Sequence, residues 1–236
     1  MNKNLFPYAD PLGWQNESYN VADILSALSS QVTPERLQKV QKVISGRTYA
    51  VTAVLEHVDD IGNMNAVLRT SESLGFQEVH LIAGGKVRRC ARVTQGCEKW
   101  MDVKKWQETA PCLDYLKQRG RKVYVSTLDA KAKPIHEIDF SVPCAVVFGN
   151  EKEGVSTEMG KACDETFFIP MLGFSQSFNI SVAAALTLQF IYLERVKKAG
   201  KQGDLSSEEE RLLLAHFLMR ATTHPEQIIK RFLSKN

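Results

Sequence analysis

Ile169-Pro170-Met171-Leu172-Gly173-Phe174-Ser175-Gln176-Ser177-Phe178-Asn179-Ile180-Ser181-Val182-Ala183-Ala184-Ala185 joins an apolar strand to a small-residue helix through a polar loop. Phe167-Phe168-Ile169 has the continuous apolar character of a fully buried strand, and Pro170, which lacks a backbone donor, ends it. Ser177 or Asn179 can cap the helix expected over residues 182–196. A polar loop at the carboxyl end of a buried strand is where open α/β sheets hold their ligands.

Two more stretches have the same build. Asn63-Met64-Asn65-Ala66-Val67-Leu68-Arg69-Thr70-Ser71-Glu72-Ser73-Leu74-Gly75-Phe76 opens a helix directly after an apolar strand, and Val146-Val147-Phe148-Gly149-Asn150-Glu151-Lys152-Glu153-Gly154-Val155-Ser156 runs a buried strand into a polar loop flanked by glycines. Between and around them the pattern predicts strands over 48–58, 78–83, 122–127, 145–148 and 166–169. Helices are expected over 63–74 and 111–118, with a short one near 156–163. Strands alternating with helices imply a mostly parallel sheet covered on both faces. Residues 1–47 form an N-terminal extension with two helices, 21–30 and 34–45, the second capped by Thr33 with Pro34 at its first position. The core spans 48–198. In a C-terminal helical extension, 199–236, a run with Gly200 and Gly203 separates off the helical segment, with Ser206 or Ser207 ahead of Glu208-Glu209-Glu210 and an apolar stripe of Leu213, Phe217 and Leu218. Pro225 interrupts it before a last helix over 226–233.

With 236 residues, 44 % hydrophobic and 24 % charged, the chain has the composition of a soluble globular protein. Five cysteines (Cys90, Cys97, Cys112, Cys144, Cys163) show no C-x-x-C pair and no regular spacing, which argues against a disulfide scaffold and for the reducing cytoplasm. The N-terminus lacks the apolar stretch of a signal peptide, and no run approaches the ~18 apolar residues of a membrane span. A net charge of +3 is too small to imply a nucleic-acid partner by itself. Its distribution says more: Lys86, Arg88, Arg89, Arg92, Lys99, Lys104 and Lys105 face only Glu98 and Asp102 within 84–106. Such a run is either a solvated face or a phosphate-binding surface.

Asn-x-x-Ala-x-x-Arg, then Gly-Asn-Glu-x-x-Gly, then Ile-Pro-Met followed by Ser-x-Asn-x-Ser, in this order, resemble the three motifs of the SpoU/TrmH family of the SPOUT superfamily. The resemblance covers roughly residues 48–198, and the flanks look like those of the family's tRNA guanosine-18 enzymes. It implies an S-adenosylmethionine-dependent RNA 2'-O-ribose methyltransferase with a deep trefoil knot in its C-terminal half. It also implies a homodimer and a tRNA partner, with guanosine 18 of the D-loop as the preferred target. Neither a metal nor a membrane belongs to this reading. The alternatives are a 2'-O-methyltransferase of another tRNA position or of rRNA, and a knotted RNA-binding protein without catalysis; a small-molecule methyltransferase fits the basic stretch poorly.

The resemblance also implies roles. Arg69 would either position the RNA backbone or, as members of the family are thought to do, accept the hydroxyl proton; a guanidinium holds its proton at neutral pH, which favours positioning. Asn63 either caps its helix or supports cofactor and ribose. Glu151 matches the motif 2 acid and would organise Arg69 and the pocket, its blander reading being an ion pair with Lys152 or Arg69. Ser177 and Asn179 match the polar positions of motif 3. Thr127, Gly149, Ile169, Met171 and Phe178 are expected to contact S-adenosylmethionine, with Phe178 where the family usually has Leu, and Gly149 letting backbone approach the ligand. Lys86, Arg88, Arg89 and Arg92 are the expected RNA contacts.

Other sites fare poorly. No G-x-G-x-x-G follows a strand, and Gly85-Lys86 is followed by Val87, which removes a P-loop. The histidines (His57, His80, His136, His216, His224) and cysteines lack metal-ligand spacing.

Overall fold

Over residues 5–83 and 99–235, which the computed structural model describes, the chain forms the following elements. In chain order they are β1 (Leu12–Trp14), β2 (Glu17–Tyr19), α1 (Val21–Leu28), α2 (Pro34–Ile44), β3 (Val51–Glu56), α3 (Ile61–Ser73), β4 (Glu78–Ile82), β5 (Asp102–Trp106), α4 (Thr109–Gln118), β6 (Lys122–Ser126), β7 (Lys133–Pro134), β8 (Cys144–Phe148), α5 (Thr157–Ala162), β9 (Glu165–Phe168), α6 (Ile180–Ala199), α7 (Ser207–Ala221) and α8 (Pro225–Leu233).

Seven strands make one sheet in the order β5-β4-β3-β8-β6-β9-β7, and every pairing is parallel. Strand period sorts the side chains into two cores. Val51, Ala53 and Leu55 of β3, with Val146 and Phe148 of β8, face one side, where Val67 and Leu68 of α3 and Ala184, Leu188 and Ile191 of α6 cover them. Val54, Ala145 and Val147 face the other side, under Leu113 and Leu116 of α4 and Met159 of α5. The chain builds outward from β3 through β4 to β5, returns to lay down β6, and inserts β8 between β3 and β6. That reversal is a topological switch point, and it leaves the carboxyl ends of β3, β8, β6 and β9 side by side.

The strand β5 is absent from the sequence expectation because Asp102-Val103-Lys104-Lys105-Trp106 looks like exposed polar chain. Two of its three charges have partners inside the fold. Tyr49 donates to Asp102 at 2.5 Å, and Lys104 lies 3.9 Å from the buried Glu78 and 4.6 Å from the Tyr115 ring. Glu78 also binds the buried Arg121 and His80. Burial would raise the Glu78 carboxyl, but the His80 hydrogen bond and the Arg121 charge outweigh it and hold the group well below its ordinary value. Lys104 is thus the half-buried outer member of this cluster.

The chain divides into two compact units, one built on Thr48–Gln202, the other on Phe6–Arg47 with Gly203–Asn236. In the second, the N- and C-terminal stretches share one core. Leu12, Tyr19, Val21, Ile24 and Leu28 pack with Leu212, Ala215, Leu218, Met219 and Ile229. The N-terminal part also contains the β1–β2 hairpin, which the helical reading of this segment missed. Ser206 is the N-cap of α7, accepting from Glu209 N while the Glu209 carboxylate accepts from Ser206 N at 2.7 Å.

Candidate active site

Three loops meet at the carboxyl edge of the sheet. A cleft of about 540 Å³ is lined by Thr127 after β6, Gly149 and Glu151 after β8, Ile169 and Met171 after β9, and Ser177, Phe178 and Asn179 before α6. All five residues expected to touch the cofactor are thus in one cleft, together with three of the five expected catalytic residues. Leu128 and Phe168 extend the apolar wall.

A second recess, of about 910 Å³, lies between the ends of β3 and β4, the start of α3 and the loop after β8; His57, Asp60, Asn63 and Glu151 are among its residues. Asn150, Glu151, Lys152 and Glu153 line both spaces, so this loop is the partition between them. Across it, Asn63 Nδ2 donates to Glu151 Oε1 at 2.7 Å, joining residues 88 positions apart in sequence.

The local sequence explains why the partition stands. Asn150 and Gly154 exchange backbone hydrogen bonds at 2.8 and 2.9 Å, with Gly154 at φ +70°. The Asn150 side chain accepts from Lys152 N and Glu153 N and donates to the His57 carbonyl at 2.8 Å, tying the loop to the end of β3. A Cβ at Gly149 would run into the Gly154 and Val155 backbone. The glycine is needed for this self-crossing of the chain, and it also lines the cleft. Sequence reasoning also passed over Asn150, although an Asn two residues ahead of free backbone amides is a turn signal in itself.

Other expectations change in detail. Asp60 caps α3, accepting from Asn63 N at 2.6 Å, so the Asn63 side chain is free for Glu151. Asn179 caps α6, its Oδ1 accepting from Ser181 N at 2.8 Å and Ser181 Oγ at 2.6 Å; Ser177 is exposed and makes no hydrogen bond among the described residues. Glu151 pairs with Asn63, not with Arg69 or Lys152. Arg69 is exposed on α3, about 9 Å along the axis and about 120° round from Asn63, and lines neither space. It forms no ion pair among the described residues. Lys86, Arg88, Arg89 and Arg92 lie outside the described residues. Among the described residues, no group of three or more His, Cys, Asp or Glu is placed to hold a metal ion, and no helix is long and apolar enough to cross a membrane.

The chain is similar in sequence and fold to known proteins. The chain is 36 % identical over 166 residues to a tRNA (guanosine(18)-2'-O)-methyltransferase of Thermus thermophilus, covering 70 % of this chain and 86 % of that one. It is 31 % identical over 158 residues to the enzyme of the same name from Escherichia coli K12, covering 66 % and 69 %. A crystal structure of the A. aeolicus TrmH/SpoU tRNA modifying enzyme superposes with a TM-score of 0.73 at 26 % identity, over 80 % of this chain and 98 % of that one. The sequence profile of the SpoU rRNA Methylase family matches residues 50–189, a span that holds β3 to β9 and all three loops of the cleft. With that match covering more than half its length, the chain belongs to the SpoU rRNA Methylase family.

Proposed function

We propose that this protein is an S-adenosylmethionine-dependent tRNA 2'-O-ribose methyltransferase whose target is guanosine 18 of the D-loop. The observation that carries the reading is the Asn63–Glu151 bridge, which sets a polar pair on the wall between a cofactor-sized cleft and an open recess. The names of the relatives support the target nucleotide.

The cleft suits the cofactor. About 540 Å³ is within the usual range for small-molecule sites, and Leu128, Ile169, Met171 and Phe178 offer apolar walls for an adenine ring and a thioether-like chain. Glu151 and Glu153 outnumber Lys152 at the partition, which complements a sulfonium cation. When bound, S-adenosylmethionine supplies the electrophilic methyl group.

The residues around it have separable tasks. Asn63 and Glu151 hold each other in a fixed orientation, so that a ribose in the recess meets a preset acceptor and donor. Ser177 offers a hydroxyl at the cleft, and Asn179 fixes the start of α6. Arg69 is assigned to the phosphate beside the target ribose, a guanidinium being the preferred phosphate ligand. Lys86, Arg88, Arg89 and Arg92 are assigned to the tRNA backbone.

Within one protomer Arg69 lines neither the cleft nor the recess, and a homodimer would complete the site across two chains. Val182, Leu186 and Leu193 leave an apolar stripe exposed along α6, and Leu172 and Phe174 stand out of the preceding loop. We assign this surface to a second copy of the chain. Membership of the family also leads us to infer the trefoil knot, and a tRNA substrate places the enzyme in the cytoplasm.

Incubating the protein with S-adenosylmethionine and unmodified total tRNA, then mapping the modified ribose, tests the reading. A 2'-O-methyl at guanosine 18 is expected. Methylation confined to another position, or none, would overturn the assignment of target or of activity respectively.

A further inference from the structure

The last residue of β3 is a carboxylate with no exposed surface, Glu56. Its Oε1 accepts from Thr109 Oγ1 at 2.6 Å and from Ser156 Oγ at 2.7 Å, and its Oε2 accepts from Ser156 N at 2.8 Å. Among the described residues it has no ion-pair partner. Taking a carboxylate out of water is costly unless its lone pairs are saturated, and an apolar side chain would pack here without that cost. What the carboxylate provides and an apolar residue cannot is directional contact with Ser156, the last residue of the loop after β8 and the N-cap of α5.

His57, the next residue, holds the other end of the same loop. Its φ of +54° lies in the left-handed region, its N–H donates to Ile82 O at 2.7 Å, and its carbonyl accepts from Asn150 Nδ2 at 2.8 Å. The dipeptide Glu56-His57 therefore grips the loop at Asn150 and at Ser156. Glu151 stands between the two grips, with its carboxylate on Asn63.

We propose that Glu56 is a positioning residue for methyl transfer, holding the 150–156 loop so that Glu151 stays in register with Asn63. The inference rests on reading Asn63 and Glu151 as the reacting site's polar pair. Glu56 itself is walled off from both the cleft and the recess and touches neither substrate nor cofactor.

The test is a double-mutant cycle read in single-turnover methylation of tRNA at saturating S-adenosylmethionine, with thermal melts confirming that each variant is folded at the assay temperature. Glu56→Ala is expected to slow transfer by about 10- to 100-fold, the scale of a misplacement near 1 Å. Glu56→Gln should restore most of the rate, because its carbonyl can accept from Ser156 N while its NH₂ donates to hydroxyls that turn to accept. Adding Glu56→Ala to Glu151→Ala should slow the reaction by less than about threefold beyond Glu151→Ala alone. Full additivity, or a Glu56→Ala protein that melts lower yet turns over normally, would overturn the proposal. Should Glu56→Ala fail to fold, Ser156→Ala and Thr109→Val enter the same cycle, and additivity with Glu151→Ala overturns it equally. Normal turnover by Glu151→Ala would instead sink the underlying reading of the pair, and this role for Glu56 with it.

Discussion

Asn63 and Glu151 are joined by a 2.7 Å hydrogen bond across the wall that separates the cleft from the recess. Because Asp60 already caps α3, the Asn63 amide has no other task in the helix. A carboxylate in its place would face another carboxylate, and like charges at that distance oppose each other's ionisation. Asn63→Asp should therefore slow methyl transfer more than Asn63→Ala does, and the Asp variant should regain part of its rate as the pH is lowered. Equal rates for the two variants across pH would show that the bond has no part in catalysis.

Arg69→Ala should leave S-adenosylmethionine affinity close to normal, since Arg69 does not line the cleft. Methyl transfer to tRNA should fall by orders of magnitude, because the phosphate contact and its field on the developing charge are lost together. Calorimetry for the cofactor and single-turnover assays for transfer separate the two. Near-normal turnover would remove Arg69 from the site.

Legibility in the sequence followed physical kind. Strands buried on both faces, such as Val146-Val147-Phe148, and helices with firm caps, such as the one begun by Ser206, were plain because composition and cap chemistry are local. The cleft was legible because the polar loops after two buried strands, at Gly149-Asn150-Glu151 and at Ser177-Phe178-Asn179, had to lie at the same edge of the sheet. The strand β5 and the Glu78–Arg121–His80 cluster were not, since a charged residue looks solvated until its partner, 43 positions away for Arg121, is known. The same holds for Glu56, whose donors Thr109 and Ser156 come from distant segments.

The stretch holding Lys86, Arg88, Arg89 and Arg92 is expected to bind tRNA phosphates. Reversing Arg88, Arg89 and Arg92 to Glu should weaken tRNA binding and flatten its salt dependence, as fewer counterions are released on binding. Affinity measured over a range of salt concentrations checks this. An unaltered slope would leave the stretch as a solvated face.

His216 predicts how the second unit responds to acid. Its ring is buried against Tyr8, with centroids 4.1 Å apart, and near Trp14. Burial, helped by the charge of Arg220, lowers its pKa from 6.5 to about 3. The folded state therefore keeps His216 neutral while the unfolded chain takes up a proton below about pH 6.5, so stability is full above that pH and falls as pH drops towards 3. The loss is about 1.4 kcal/mol per pH unit for one proton. His216→Phe removes this contribution. Between pH 7.5 and 5 the stability difference between wild type and variant should shift by about 2 kcal/mol in the variant's favour, as read from urea melts at the two pH values.

Deleting residues 206–236 should expose the core of the second unit, because that core is shared between the two ends of the chain. Leu212, Leu218, Met219 and Ile229 would be removed from Leu12, Val21, Ile24 and Leu28, leaving α1 with a bare apolar face. A helix face of this kind either aggregates or finds a substitute partner. The core of the first unit, built from β3 to β9 with α3 to α6, contains none of the deleted residues. The truncated protein should therefore bind S-adenosylmethionine in the calorimeter, yet aggregate at concentrations where the full chain does not. Removing 6–47 as well should relieve the aggregation, since no half-core is left behind. If the single truncation stays soluble with full tRNA activity, the shared core is dispensable and the C-terminal helices have no part in the enzyme's work on tRNA.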